Sequence, residues 1–151
     1  MKRFTVTLCA LLALGFALSA AVEVTADDLA AGPLSEDVTL GDAGVVVGTG
    51  NVLVDVSTDP AYAQVLTLTG DSAITLNAKQ GETLTLAAAP DATTGEASVV
   101  LSSDAGTSEV LSGVSADGSP VTVEYSFPAD GVYTLAANPE QALSVYQVTV
   151  A

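Results

Sequence analysis

Val121-Thr122-Val123-Glu124-Tyr125-Ser126-Phe127, then Pro128-Ala129-Asp130-Gly131, then Val132-Tyr133-Thr134-Leu135: the fold is read from this run. Apolar side chains occupy every second position from Val121 to Phe127, with Thr122, Glu124 and Ser126 between them. That is the period of a strand with one face buried and one wet. Pro128 lacks the amide that a ladder needs and Gly131 accepts positive φ, so the tetrapeptide reads as a turn. Val132 to Leu135 then starts a second strand, expected to run antiparallel to the first. A further turn falls at Asn138-Pro139, after which Tyr146, Val148 and Val150 alternate again.

The same punctuation runs back through the chain. Val38-Thr39-Leu40 stops at Gly41-Asp42, Val45-Val46-Val47 at Gly48, and Val52 to Val56 at Asp59-Pro60. Val65 to Thr69 stops at Gly70-Asp71, Ile74 and Leu76 at Lys79-Gln80-Gly81, and Leu84 to Ala88 at Pro90-Asp91. Val99-Val100-Leu101 ends at Asp104-Ala105-Gly106, and Val110-Leu111 runs into a Gly/Ser/Asp segment from Ser112 to Pro120. Roughly nine to eleven short strands result, spaced as in an all-β antiparallel sandwich of jelly-roll or immunoglobulin-like kind. No long apolar stripe of helical period follows Ala21, so helix is expected to be minor. The runs are too short and the aromatics too few for a lipid-facing barrel, whose strands need about ten residues and aromatic girdles.

Lys2-Arg3, the apolar run from Phe4 to Leu18 and small residues at Ser19 and Ala21 form a secretory signal peptide over residues 1–21. Residues 22–34 lack a clear period and are expected to be a flexible leader or docking segment, with one sandwich domain over 35–151. The location is therefore exported: periplasm, cell surface or extracellular. Cys9 is the only cysteine, so the exported chain has no thiol for a disulfide or metal site. Cleavage removes Lys2 and Arg3 but no acid; Lys79 is left alone against 18 carboxylates, and the formal charge moves from −15 to −17. Such a surface repels phosphate backbones and anionic lipid, which argues against nucleic acid and against membrane insertion after cleavage. The charge keeps an otherwise apolar exported protein soluble and guards sheet edges; cation gathering, a basic partner or adaptation to high salt are the sharper readings.

Catalytic chemistry is hard to assemble from these residues. The sequence has no histidine to serve as base or ligand, so a triad and a copper-zinc dismutase site are both excluded. Ser115, in Gly113-Val114-Ser115-Ala116-Asp117, lacks the second glycine of a nucleophile elbow. Lys79 sits in a turn and reads as a solvated charge. A glycosidase pair needs two acids roughly 5 to 10 Å apart across a cleft. Asp59, Asp71, Asp91, Asp104, Asp117 and Asp130 instead stand beside Gly, Pro or Ser, where aspartate caps its own turn. Calcium is the best-suited ligand because it takes hard oxygens from loops. The candidates are Asp55 with Asp59 and Asp91 with Glu96. Tyr125, Tyr133 and Tyr146 read as half-buried strand residues with hydroxyls at the rim. Tyr62, beside Asp59-Pro60, is the better candidate for contact with a partner.

Residues 78–150, about half of the chain, resemble the bacterial pre-peptidase C-terminal (PPC) domain in three stretches, Gln80 to Leu86, Pro128 to Leu135 and Tyr146 to Val150. The resemblance implies a jelly-roll-like sandwich of the kind attached to secreted proteases, a non-catalytic appendage that binds a partner, matrix or its own enzyme. The combined expectation is a non-enzymatic accessory or structural subunit of the envelope, surface layer or a secreted complex, without a cofactor. Its partner would be an envelope or surface-layer protein or a second copy of itself. The alternative is a calcium-dependent module for matrix or polysaccharide, and an acid-dyad hydrolase is the least favoured.

Overall fold

The computed structural model describes residues 22–33, 38–40, 45–47, 52–70, 72–90, 98–106, 108–111, 118–138 and 140–151. Among them the strands are β1 (Val22–Thr25), β2 (Gly32–Pro33), β3 (Val38–Leu40), β4 (Val45–Val47), β5 (Val52–Val56), β6 (Gln64–Thr69) and β7 (Ala73–Ala78). There follow β8 (Thr83–Pro90), β9 (Val99–Ser103), β10 (Ser108–Leu111), β11 (Val121–Ser126), β12 (Gly131–Ala137) and β13 (Ala142–Val150). Ten of these have four residues or more, within the expected number; β2, β3 and β4 are shorter. Helix is confined, among the described residues, to a 3-10 turn at Ala26–Asp28. No helix there is long and apolar enough to cross a membrane.

The strands form an antiparallel β-sandwich. Sheet A has the order β11-β8-β13-β6-β5-β2, and β1 joins β13; sheet B has the order β10-β9-β12-β7-β4-β3. β13 pairs with β8 along one side, while its other side is shared by β6 at residues 142–145 and β1 at 147–150. Hairpins join β3 to β4, β5 to β6 and β9 to β10; from β6 to β9 and from β10 to β13 every connection crosses between sheets. Such crossing is how a jelly roll closes two apolar faces on one core. Val54, Leu66, Leu68, Leu84, Leu86, Val123, Leu143, Val145, Val148 and Val150 of sheet A meet Ile74, Leu76, Val99, Leu101, Tyr133 and Leu135 of sheet B. Each such aliphatic side chain contributes about 1.5–3 kcal/mol by leaving water.

The turn at Pro128–Gly131 differs from the expected hairpin. β11 pairs with β8 in sheet A, whereas β12 pairs with β7 and β9 in sheet B. The apolar faces on either side of the turn are buried by facing each other across the sandwich, not by sharing a sheet. Phe127 anchors the crossing: it is buried, its N–H donates to the Glu82 carbonyl at 2.9 Å, and its own carbonyl accepts from Gly81 at 3.0 Å. Asp130 Oδ1 accepts from the Gln80 amide at 2.7 Å, joining two loops instead of capping its own turn. Gly131 serves space, not positive φ, since a Cβ there would lie 2.9 Å from Asp104 Oδ1.

Tyrosines fix this end of the sandwich. Tyr133 is buried, more than the half-burial expected, and its hydroxyl donates to the Ala129 carbonyl at 2.9 Å. A strand tyrosine tied to backbone a few residues upstream is the tyrosine-corner device of β-sandwiches. Its ring lies 4.6 Å from Phe127, which in turn meets Tyr125 edge-on at 5.6 Å. Tyr125 is the half-buried one. Burial, then the neighbouring Glu109 charge and a hydrogen bond to Glu109, raise its hydroxyl above the usual tyrosine range. Since Glu109 lies on β10 and Tyr125 on β11, that contact spans the two sheets.

The segment expected to be a flexible leader or a docking segment docks on its own sheet. β1 pairs with β13 from Val22 opposite Val150 to Thr25 opposite Gln147. Asp28 Oδ2 accepts from the Thr25 amide and hydroxyl, and Asp27 Oδ1 accepts from the Gln64 amide at 2.7 Å. Gln64 Nε2 donates back to the Leu29 carbonyl at 3.2 Å, and Ala26 and Leu29 enter the core.

Candidate functional site

Strand alternation should leave the outer face of a sandwich sheet wet, and on sheet A one patch breaks that rule. Val65, Ala87, Ala89 and Tyr146 form a second apolar cluster separate from the core, with Tyr62 packed against it. Ala89 is 0% and Tyr146 5% exposed although both face outward. The cause is a β-bulge: the β13 register on β8 shifts between Val145 and Gln147. Such an extra residue re-aims its side chain. The sequence alternation puts Tyr146 on the same face as Val148 and Val150; the bulge reverses it. Val145 and Val148 stay in the core while Tyr146 swings over the small side chains of Ala87 and Ala89, so its ring is buried, not half-buried.

Tyr62 reaches the patch from the loop between β5 and β6. Asp59 shapes that loop: its Oδ1 accepts from the Ala61 amide at 2.8 Å, its carbonyl accepts from the Tyr62 amide, and its own amide donates to Ser57 Oγ at 3.0 Å. The loop is closed by the Ser57 amide donating to the Ala63 carbonyl at 3.0 Å. Tyr62 is thereby held with its ring 4.9 Å from that of Tyr146, tilted by 41°. The pair makes an angled aromatic wall, not a coplanar platform.

Beside Tyr146 a cavity of about 200 Å³ opens on this face. Its polar lining is Asp55, Thr58, Thr67 and Ser144; Val56, Val65, Pro90, Gly118 and the Tyr146 ring supply the rest. Register explains the grouping, because Thr67 stands opposite Ser144 and Asp55 opposite Val65. Among the described lining residues Asp55 alone is charged, and its Oδ1 accepts from the Val56 amide at 2.7 Å. The arrangement offers three hydroxyls and one carboxylate around an apolar floor. It suits a small ligand with both hydroxyl edges and a C–H face.

Of the residues singled out by sequence, Asp55 lines the cavity, Asp59 builds the loop that presents Tyr62, and Tyr62 forms one half of the aromatic pair. Asp91 and Glu96 lie outside the described residues, as do Asp71, Ser115 and Asp117. Among the described residues no group of three or more His, Cys, Asp or Glu side chains is placed to hold a metal ion. Sequence reasoning missed Thr67, Ser144 and the outward turn of Tyr146. The small-residue run Ala87-Ala88-Ala89 opposite a tyrosine strand was the one available signal.

No family model and no curated protein matches the chain. Among solved structures, it is similar to an exo-β-1,3-galactanase from Phanerochaete chrysosporium with galactose, at 13% identity and a TM-score of 0.50. That match covers 88% of this chain and 30% of that one. The CBM22-1 xylan-binding domain of Paenibacillus barcinonensis Xyn10C matches at 10% identity and a TM-score of 0.49, covering 85% of this chain and 91% of that one. A mutant of the family 29 carbohydrate-binding module CBM29-2 matches at 11% identity and 0.46, covering 85% and 89%. The likeness to the galactanase is one of fold: a jelly-roll sandwich.

Proposed function

We propose that this protein is an exported, non-catalytic binding module whose sheet A outer face takes a neutral sugar. The observation that carries the reading is the Tyr62–Tyr146 wall beside a cavity lined by Asp55, Thr58, Thr67 and Ser144. A pyranose presents a C–H face and a hydroxyl edge; Tyr62, the partly exposed ring of the pair, complements the first and the hydroxyl lining of the adjoining cavity the second. Among the described residues one carboxylate, that of Asp55, lines the cavity, and this supports binding without turnover, since glycoside hydrolysis ordinarily uses two. A neutral sugar is favoured over a uronate or phosphosugar because Asp55 and a formal charge of −15 on the whole chain oppose anions. The cavity is smaller than the roughly 300–1,000 Å³ of drug-sized sites, which suits one sugar ring at a time.

The PPC-like stretches support the same class of role, an appendage that attaches other activity to a matrix. Calorimetric titration with soluble neutral glycans and with polygalacturonate, each with calcium and with chelator, tests the proposal. Saturable binding of a neutral glycan and none of the acidic one is the expected result. Binding that vanishes in chelator would restore the calcium-dependent reading on Asp55 and Asp59. No binding to any glycan would leave the accessory-subunit reading in its place.

A further inference from the structure

We infer that the outer face of sheet B is a self-association surface on which two copies of this chain meet about a two-fold axis. The residues that β7, β12, β9 and β10 turn outward are Ala73, Thr75, Asn77; Val132, Thr134, Ala136; Val100, Ser102; and Ser108, Val110. Register sets them in rungs across the sheet. Thr75, Thr134, Ser102 and Ser108 stand side by side, and Ala73, Ala136, Val100 and Val110 form the next rung. Ser102 and Ser108 join through their hydroxyls at 3.3 Å.

None of these ten residues is charged, in a chain carrying 18 acids. Every acid among the described residues lies elsewhere. Glu23, Asp55 and Glu124 are on sheet A, and Asp27, Asp28, Asp59, Glu82, Asp104, Asp130 and Glu140 are in turns and loops. Glu109, although on β10, faces Tyr125 on sheet A and not the outer face. Val110 and Val132, two of the few large apolar residues left exposed at 64% and 39%, sit on this same face.

Charge selects the occupant. Two copies of so acidic a chain repel through every carboxylate-bearing surface and approach at least cost through the face of β7, β12, β9 and β10, whose described residues carry none. Chemistry selects it too. A two-fold interface brings a patch against itself, so the patch must be self-complementary. Hydroxyls both donate and accept and small apolar groups pack on their own kind, whereas carboxylates only accept. Four strands about 4.8 Å apart and two to three rungs about 7 Å apart give a footprint of roughly 300 Å², below the roughly 800 Å² per partner of a standard interface. The dimer is therefore weak, and it tightens as salt screens the repulsion between the copies.

Sedimentation equilibrium of the protein over a wide concentration range, in low and high salt, tests this. The expected result is a concentration-dependent dimer strengthened by salt and weakened at least tenfold by Thr134→Glu. Thr122→Glu, which adds the same charge on β11 of sheet A, leaves it intact. Should Thr134→Glu fail to fold, the exposed pair Val110→Ser and Val132→Ser is measured instead and weakens the dimer several-fold. A protein that stays monomeric at the highest concentration in high salt overturns the inference. So does a dimer indifferent to the sheet B substitutions, or one lost equally in Thr122→Glu.

Discussion

The outer faces of the two sheets begin from the same strand grammar and end as different surfaces. On β7, β12, β9 and β10 of sheet B the alternation is regular: small, β-branched, hydroxyl and amide residues turn outward, and the described face is uncharged. On sheet A one bulge at Tyr146 and two alanines opposite it turn an outward face into a second cluster, with a cavity and a carboxylate at its margin. Inner faces specify the fold and are alike in both sheets. Outer faces carry the two proposed roles, and a single register shift separates the concave surface from the flat one.

Truncation should separate the two faces most strongly. Tyr146→Ala should cost about 3 kcal/mol or more of stability, as for other buried aromatics, and abolish sugar binding. Thr134→Ala, equally outward on sheet B, should change stability by under about 0.5 kcal/mol. Urea unfolding of the two variants measures the contrast, and similar losses would erase it. Tyr62→Ala comes next. It should weaken sugar binding about tenfold, roughly 1.4 kcal/mol, with little loss of stability, because Tyr62 is half-exposed on a loop already held by Asp59. Titration beside a thermal melt separates those effects.

Smaller effects arise where neither outer face is touched. Tyr133→Phe should cost about 1 kcal/mol by orphaning the Ala129 carbonyl, seen in denaturant unfolding without change in sugar binding or self-association. The least is a pH effect. The Tyr125 hydroxyl holds its proton more tightly folded than unfolded, so its contribution is complete below the ordinary value of 10.0 and is lost as pH rises above it. Tyr125→Phe should flatten stability against pH in that alkaline window, and an unchanged slope there would contradict the tighter hold that burial and then Glu109 give the hydroxyl proton.

Strand positions and the β class were legible because alternation and turn chemistry are local. Pairing was not. The run through Pro128–Gly131 says that two strands follow one another, but whether they share a sheet depends on what each apolar face meets, and here β8 and β7 took them apart. Tyr146 failed for a related reason: a parity count cannot register an inserted residue, and the bulge shows only in its pairing with Ala87 and Ala88. Tyr62 was legible because Asp59-Pro60 announces a turn and places the tyrosine in a loop between two strands. The leader's docking was not, since its hold on the sheet comes from Asp27 and Gln64, 37 residues apart.

The proposed function puts a neutral sugar on the bulged face of sheet A. Backbone amide shifts recorded by nuclear magnetic resonance, while neutral oligosaccharides are titrated into the protein, test it most directly. Saturable shifts gathered at Asp55, Thr58, Tyr62, Thr67, Ser144 and Tyr146 are expected, with Thr75, Ser102 and Thr134 on sheet B unmoved. Shifts confined to sheet B, or none with any neutral sugar, would contradict it.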